Sequence, residues 1–154
     1  MKRFIVCNNC GTRVSGLLDQ QVALDFIGKM NGELLLSEGQ YGIDDKGDYY
    51  IFIGDKHHLT YHPDQNRMIG CCGPSPEGLP NLVCICKSET GREVTDCLTA
   101  HYITLYKNAA MIKEDSTGLL AEVLALPIAE ETKYQYEILI QYGDTASVLK
   151  ALGK

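Results

Sequence analysis

Nowhere does the chain approach the roughly 18 consecutive apolar residues that a membrane-spanning helix needs, so the sequence predicts no membrane span. The opening stretch has only Phe4, Ile5 and Val6 as an apolar run, too short for a signal-peptide core, and the expected location is cytoplasmic. Basic residues are sparse and scattered. Lys2-Arg3 is the only adjacent pair, the formal net charge is -6 and the pI is near 5.1. An acidic surface repels nucleic acid and anionic membranes alike, which leaves proteins as the expected macromolecular partners. Histidine is also scarce: His57, His58, His62 and His101 are the four present, and no His-Glu-x-x-His occurs. Catalytic zinc usually takes histidine and carboxylate ligands and keeps one position open. A zinc-dependent hydrolase built on histidine and cysteine ligands is therefore the alternative reading rather than the first. Internal repeats at solenoid spacing and low-complexity segments are absent as well.

Cysteine is what the chain does have. Five of the seven fall between Gly70 and Cys97, in Gly70-Cys71-Cys72-Gly73, Cys84-Ile85-Cys86 and Asp96-Cys97, and the other two form Cys7-Asn8-Asn9-Cys10. In a reducing compartment paired cysteines serve as metal ligands or catalytic thiols more often than as disulfides, and an odd number excludes complete internal pairing. Cys7-x-x-Cys10-Gly11 reads as a knuckle, a tight turn that presents two thiolates to one ion, with Gly11 free to take the positive φ at the turn exit. A thioredoxin-like pair should instead open a helix. Gly11, Thr12 and Val14 read as a turn into a strand.

A closed tetrahedral zinc site needs two more donors. Cys84 and Cys86 are the best second half, and the run from Cys86 to Val94 loosely echoes Cys10 to Gly16, as two knuckles of a zinc ribbon would. Along a regular strand, residues i and i+2 lie about 6 to 7 Å apart, while each thiolate must reach the ion at about 2.3 Å. The chain must therefore bend between Cys84 and Cys86. The predicted metal ligands are Cys7, Cys10, Cys84 and Cys86, around one structural Zn2+. Cys71, Cys72 and Cys97 read first as small buried hydrophobes. Together with His62 they bring the donors to eight, enough for a second tetrahedral ion.

The remaining pattern is mostly β. Glu33–Leu36, Tyr49–Ile53, a stretch around His58–Tyr61, Leu82–Ile85 and His101–Tyr106 read as strands, with turns at Asp44–Asp48 and Lys87–Arg92 and an irregular loop from Cys72 to Asn81 containing three prolines. Gln20–Met30 fits neither period. Leu119, Leu120, Val123 and Leu124 follow helical spacing between Thr117-Gly118 and Pro127, and Asp144–Leu152 reads as a short final helix. Residues 130–142 carry two signals: Tyr134, Tyr136, Ile138, Ile140 and Tyr142 alternate as in a strand, whereas Pro127, Glu130 and Glu131 suit a helix start. The expected fold class is α+β. It is one domain over residues 1–154, with a β-rich zinc-pinned body at 1–107 and a mostly helical segment at 108–154 that packs on the body or mediates association.

His62-Pro63-Asp64, Arg67, Gly70-Cys71-Cys72-Gly73-Pro74, Gly78, Asn81-Leu82-Val83-Cys84-Ile85-Cys86, Glu93-Val94 and Asp96-Cys97 resemble the core of a family of uncharacterised bacterial cysteine-rich proteins. The resemblance covers roughly residues 57 to 105, with Cys7-x-x-Cys10-Gly11 as an outlying match. Lys87 stands where a glycine is expected after the second knuckle, and Leu98 where an aromatic often follows the last cysteine. The resemblance implies zinc binding and no established activity. The function expected from the sequence is thus that of a zinc-binding protein in which the metal is structural and the work is protein interaction or adaptor binding.

Overall fold

A computed structural model describes residues 1–154. The chain forms two compact units: one spans Arg3–Lys113, and the other combines Met1–Lys2 with Glu114–Lys154. The fold is α+β, with the strands in the first unit and three helices in the second.

The larger unit contains β1 (Arg3–Cys7), β2 (Gln20–Gln21), β3 (Gln40–Ile43), β4 (Tyr49–Ile51), β5 (Leu59–Tyr61), β6 (Leu82–Cys84), β7 (Glu89–Val94), β8 (Tyr102–Leu105) and most of β9 (Ala110–Glu114). Seven of them make one sheet in the order β2-β3-β4-β8-β7-β6-β5, and β1 pairs with β9 in a second, two-stranded sheet. All neighbours in the large sheet are antiparallel except β2 and β3.

The centre of that sheet follows from side chains that alternate along β4 and β8. The register pairs Tyr49 with Leu105 and Ile51 with Ile103, and these four pack toward Ile5, Val14, Leu18 and Leu82. Tyr50 and Tyr102 point to the opposite face, where they meet Leu35, Leu36, Val94 and Ala100. Phe26 completes an aromatic group with those two tyrosines, its ring centroid 5.4 Å from Tyr50 and 5.5 Å from Tyr102. A sheet covered on both faces buries every residue of a central strand, and all four residues of β8, Thr104 included, are buried.

Several local expectations change. Glu33–Leu36 forms no strand: Leu34 makes one isolated parallel bridge to His101, and Leu35 and Leu36 serve as loop residues that cover the sheet. The expected strand at Tyr49–Ile53 stops at Ile51, and a turn of 3₁₀ helix takes Ile53–Asp55. Lys87–Arg92 was expected to turn, yet β7 begins at Glu89, because Thr90 to Val94 are all buried between β6 and β8. Val14 lies between two isolated bridges, Val6 to Arg13 and Ser15 to Lys56, rather than in a continuous strand.

The second unit holds α1 (Leu119–Leu124), α2 (Glu130–Gln141) and α3 (Thr145–Ala151). Residues 130–142, open between strand and helix in the sequence, are thus helical up to Gln141. Tyr136 and Ile140 are an i, i+4 pair, so the same apolar spacing that alternates in two also lines one helix face. Together with Leu139 and Leu152 they pack on a buried centre of Leu119, Val123 and Val148. Asp115 caps α1, its carboxylate accepting from the backbone of Leu120 at 3.2 Å and Ala121 at 3.0 Å. Asp144 does the same for α3 through Ser147.

Candidate metal centre

The two expected knuckles are built alike. In the first, the Gly11 amide donates to the Cys7 carbonyl at 2.8 Å, and the Cys7 amide donates to Thr12 at 2.8 Å. In the second, the Lys87 amide donates to Cys84 at 2.8 Å and the Cys84 amide to Ser88 at 3.0 Å. Each turn leaves through a residue of positive φ, Gly11 at 77° and Lys87 at 73°. The second is a lysine, so the departure from glycine noted in the sequence does not change the geometry of the turn. It does place a side chain in the left-handed region, where L-residues are disfavoured by about 1 to 2 kcal/mol.

Cys84 closes β6 and Cys86 lies within the turn that follows, which supplies the bend that two ligands at i and i+2 require. Asn81 fixes the other end of β6. Its side chain donates to the Glu93 carbonyl at 3.0 Å and accepts from the Glu93 amide at 2.7 Å, locking the start of β6 against β7. The four sulfurs of Cys7, Cys10, Cys84 and Cys86 then converge, all within 4.8 Å of one another. Cys7 Sγ is 3.7 Å from Cys86 Sγ, and Cys10 Sγ is 3.5 Å from Cys84 Sγ. Four thiolates bound tetrahedrally at about 2.3 Å lie about 3.8 Å apart, and the observed pairs match that spacing.

The site is graded from core to surface. Cys7 and Cys84 are buried in the main core beside Ile5, Val14 and Leu82, while Cys10 and Cys86 sit at its edge. Burial, the dominant cause, pushes the Cys7 and Cys84 thiols above the ordinary range. At Cys86 burial also pushes the thiol up, but hydrogen bonds from Asn9, from the Ser88 backbone and from the thiols of Cys10 and Cys7 outweigh it and bring the group down to about 6. Asn9 Nδ2 donates to Cys86 Sγ at 3.3 Å, and Cys10 Sγ donates to Thr12 Oγ1 at 3.2 Å. A cation changes this balance, since a coordinating thiol is deprotonated outright.

Cys71, Cys72 and Cys97 are not buried hydrophobes. All three are exposed, and together with the carboxylate of Asp96 they form a second group whose ligand atoms also lie within 4.8 Å of one another. The expectation failed because tertiary packing brings the Gly70–Gly73 loop against the end of β7 at the surface. Cys72 and Cys97 are joined as a disulfide, with Cα atoms 5.7 Å apart. Asp96 escaped the sequence reading as a donor, although it stands in the Asp96-Cys97 dipeptide already singled out.

The histidines belong to neither group. His62 accepts from the Asp64 amide at Nδ1, 3.0 Å away, and its Nε2 lies 3.1 Å from Glu89 Oε1. His101 Nε2 bonds the Asp96 carbonyl at 3.0 Å, and the rings of His57 and His58 stack edge to face with centroids 4.1 Å apart. No family model, no curated protein and no solved structure matches the chain. What the geometry defines is a β-rich protein with two clusters of metal-ligating residue types, one of four free cysteines and one in which Cys72 and Cys97 are joined as a disulfide. No helix is long and apolar enough to cross a membrane.

Proposed function

We propose that this is a zinc-binding protein in which one ion, held by Cys7, Cys10, Cys84 and Cys86, is structural, and that the chain works by binding another protein. The observation that carries the metal reading is the convergence of four sulfurs from two matching knuckles far apart in sequence. Four thiolates in tetrahedral array suit zinc, and a shell closed by protein ligands leaves no position for substrate. The ion ties the start of the chain to the end of β6 and does the work of a zinc ribbon. The resemblance of roughly residues 57 to 105 to a family of uncharacterised bacterial cysteine-rich proteins agrees with this role.

A protein partner follows from the acidic balance of the chain and from large apolar side chains left in solvent near the cysteine loops. Ile69, Leu79 and Leu98 are each at least 60% exposed and supply apolar surface that a bound partner would cover. Zinc content measured on protein purified without added metal tests the first part: the expected result includes one ion bound by four sulfurs in X-ray absorption. A first shell containing nitrogen would favour the hydrolase alternative. Full thermal stability after chelation would exclude a structural ion.

A further inference from the structure

The surface group formed by Cys71, Cys72, Asp96 and Cys97 lies in a loop built for close approach. The Ser75 amide closes it onto Ile69 at 3.1 Å, and the Thr95 amide pins it to Pro74 at 3.0 Å. A side chain on Gly70 would overlap the Gly73 carbonyl, and one on Gly73 would come within 2.7 Å of the Thr95 carbonyl, so only glycine fits on either side of the cysteine pair. Arg92, buried in β7, holds the rest of the loop. Its guanidinium donates to the carbonyls of Ser75 at 2.8 Å, Arg67 at 2.9 Å and Leu79 at 2.6 Å. The Asp96 residue is itself buried, with its carboxylate accepting from the Leu98 amide at 3.2 Å, and the Cys97 amide donates to Cys72 Sγ at 2.8 Å. Amide bonds of this kind orient and support metal ligands.

We propose that in the reduced chain these four residues form a second site for a zinc-class divalent cation, and that the Cys72–Cys97 disulfide is the alternative, metal-free state of the same site. Three thiolates and a carboxylate complete a tetrahedral shell. The disulfide removes two of the four donors and leaves Cys71 and Asp96, too few to retain the ion. The two states exclude each other. The interconversion needs a small-molecule disulfide as oxidant. One cysteine thiolate attacks it, its S–S bond breaks and one small thiolate leaves. The second cysteine thiolate then attacks the mixed disulfide, forming the Cys72–Cys97 bond and displacing the second small thiolate. Two electrons pass from the protein sulfurs to the oxidant, and the cation is released. Exposure sets the selectivity, since Cys71, Cys72 and Cys97 are exposed, while Cys7 and Cys84 of the other group are buried and Cys10 and Cys86 half-buried.

The test uses the full chain loaded with zinc under a dithiol reductant, then treated with oxidised glutathione while a chromophoric chelator reads released metal. Two ions per chain are expected before oxidation and one after, with the loss of two thiols and a peptide map that joins Cys72 to Cys97. The variant C71S/C72S should hold one ion and release none, and Asp96→Asn should release its second ion to the chelator at least tenfold faster than wild type. One ion in the reduced wild type, with the same ion kept by C71S/C72S, would overturn this proposal alone. No ion in either would overturn the four-cysteine reading too. Release accompanied by a Cys7–Cys10 disulfide would also overturn it. Cys97→Ser gives a second route to the one-ion form should the double variant fail to fold.

Discussion

Replacing Cys84 with serine tests most sharply whether the four-cysteine centre holds the fold. Cys84 is 1% exposed and its sulfur lies 3.5 Å from that of Cys10, 74 positions away in the chain. An ion bridging the two closes a loop of that length, and in the chain-entropy account such a cross-link constrains the unfolded state by about 4.5 kcal/mol. A serine hydroxyl buried in the sulfur's place without a partner adds a penalty of about 1 to 3 kcal/mol. The sum, about 5 to 8 kcal/mol, is comparable with the whole stability of a typical domain, about 5 to 15 kcal/mol. The variant should therefore be largely unfolded at room temperature or retain only a small part of the wild-type stability. Urea unfolding followed by far-ultraviolet circular dichroism and tyrosine fluorescence suits the chain, which has nine tyrosines and no tryptophan. Chelation should lower the stability of the wild type by several kcal/mol and leave the variant unchanged, because the variant has already lost the closed shell. A Cys84→Ser protein within about 1 kcal/mol of wild type, or one that lost as much again on chelation, would refute a structural ion at this centre.

Three further outcomes follow from the same geometry. Lys87→Gly removes a side chain from a backbone held at a φ of 73°. Relief of about 1 to 2 kcal/mol, offset by a glycine entropy cost of about 0.5 to 1 kcal/mol, should make the variant equal to or up to about 1.5 kcal/mol more stable than wild type in chemical denaturation, and a clear loss would count against the knuckle. His57 is held down to about 4 by burial first, then by the charge of Arg13 and by His58. Its folded value lies below its unfolded one, so the unfolded state binds the extra proton. The contribution to stability is whole above about pH 6.5 and lost as the pH falls toward about 4. His57→Phe should show a shallower decline than wild type over that window at fixed zinc, and parallel curves would refute the assignment. Asp115→Ala leaves the amides of Leu120 and Ala121 without their acceptor. It should cost about 1 kcal/mol, with amide exchange accelerated in α1 ahead of α2.

Features set by residues close together in sequence were legible without the structure. The Cys7–Cys10 knuckle needs only a turn and a residue able to take positive φ at its exit, and Gly11 is there. The spacing from Leu119 to Leu124 marked α1, Asp144–Leu152 read as the short helix that α3 forms, and aromatic and β-branched content marked the strands that contain β4 and β8. Cys84 and Cys86 could be named as the second half-site because the run after Cys86 echoes the one after Cys10, and their i, i+2 spacing then required the chain to bend between them.

Where two periods coincide, local pattern could not choose. Tyr136 and Ile140 are alternate residues of a strand and neighbours on a helix face, and packing against Leu119, Val123 and Val148 made residues 130–141 helical. Sheet pairing likewise drew Glu89–Val94 into a strand, because unpaired backbone between β6 and β8 would be buried without partners. The role of Cys71, Cys72 and Cys97 was the least readable of all. Free cysteine is most often a small core residue, so composition favoured burial, and only the tertiary arrangement placed these three beside Asp96 at the surface. The sequence by itself determined which residues could serve as ligands and which local turns could present them. Tertiary structure alone decided which sulfurs meet, because convergence across 74 or 79 positions depends on strand register and core packing that no short stretch encodes.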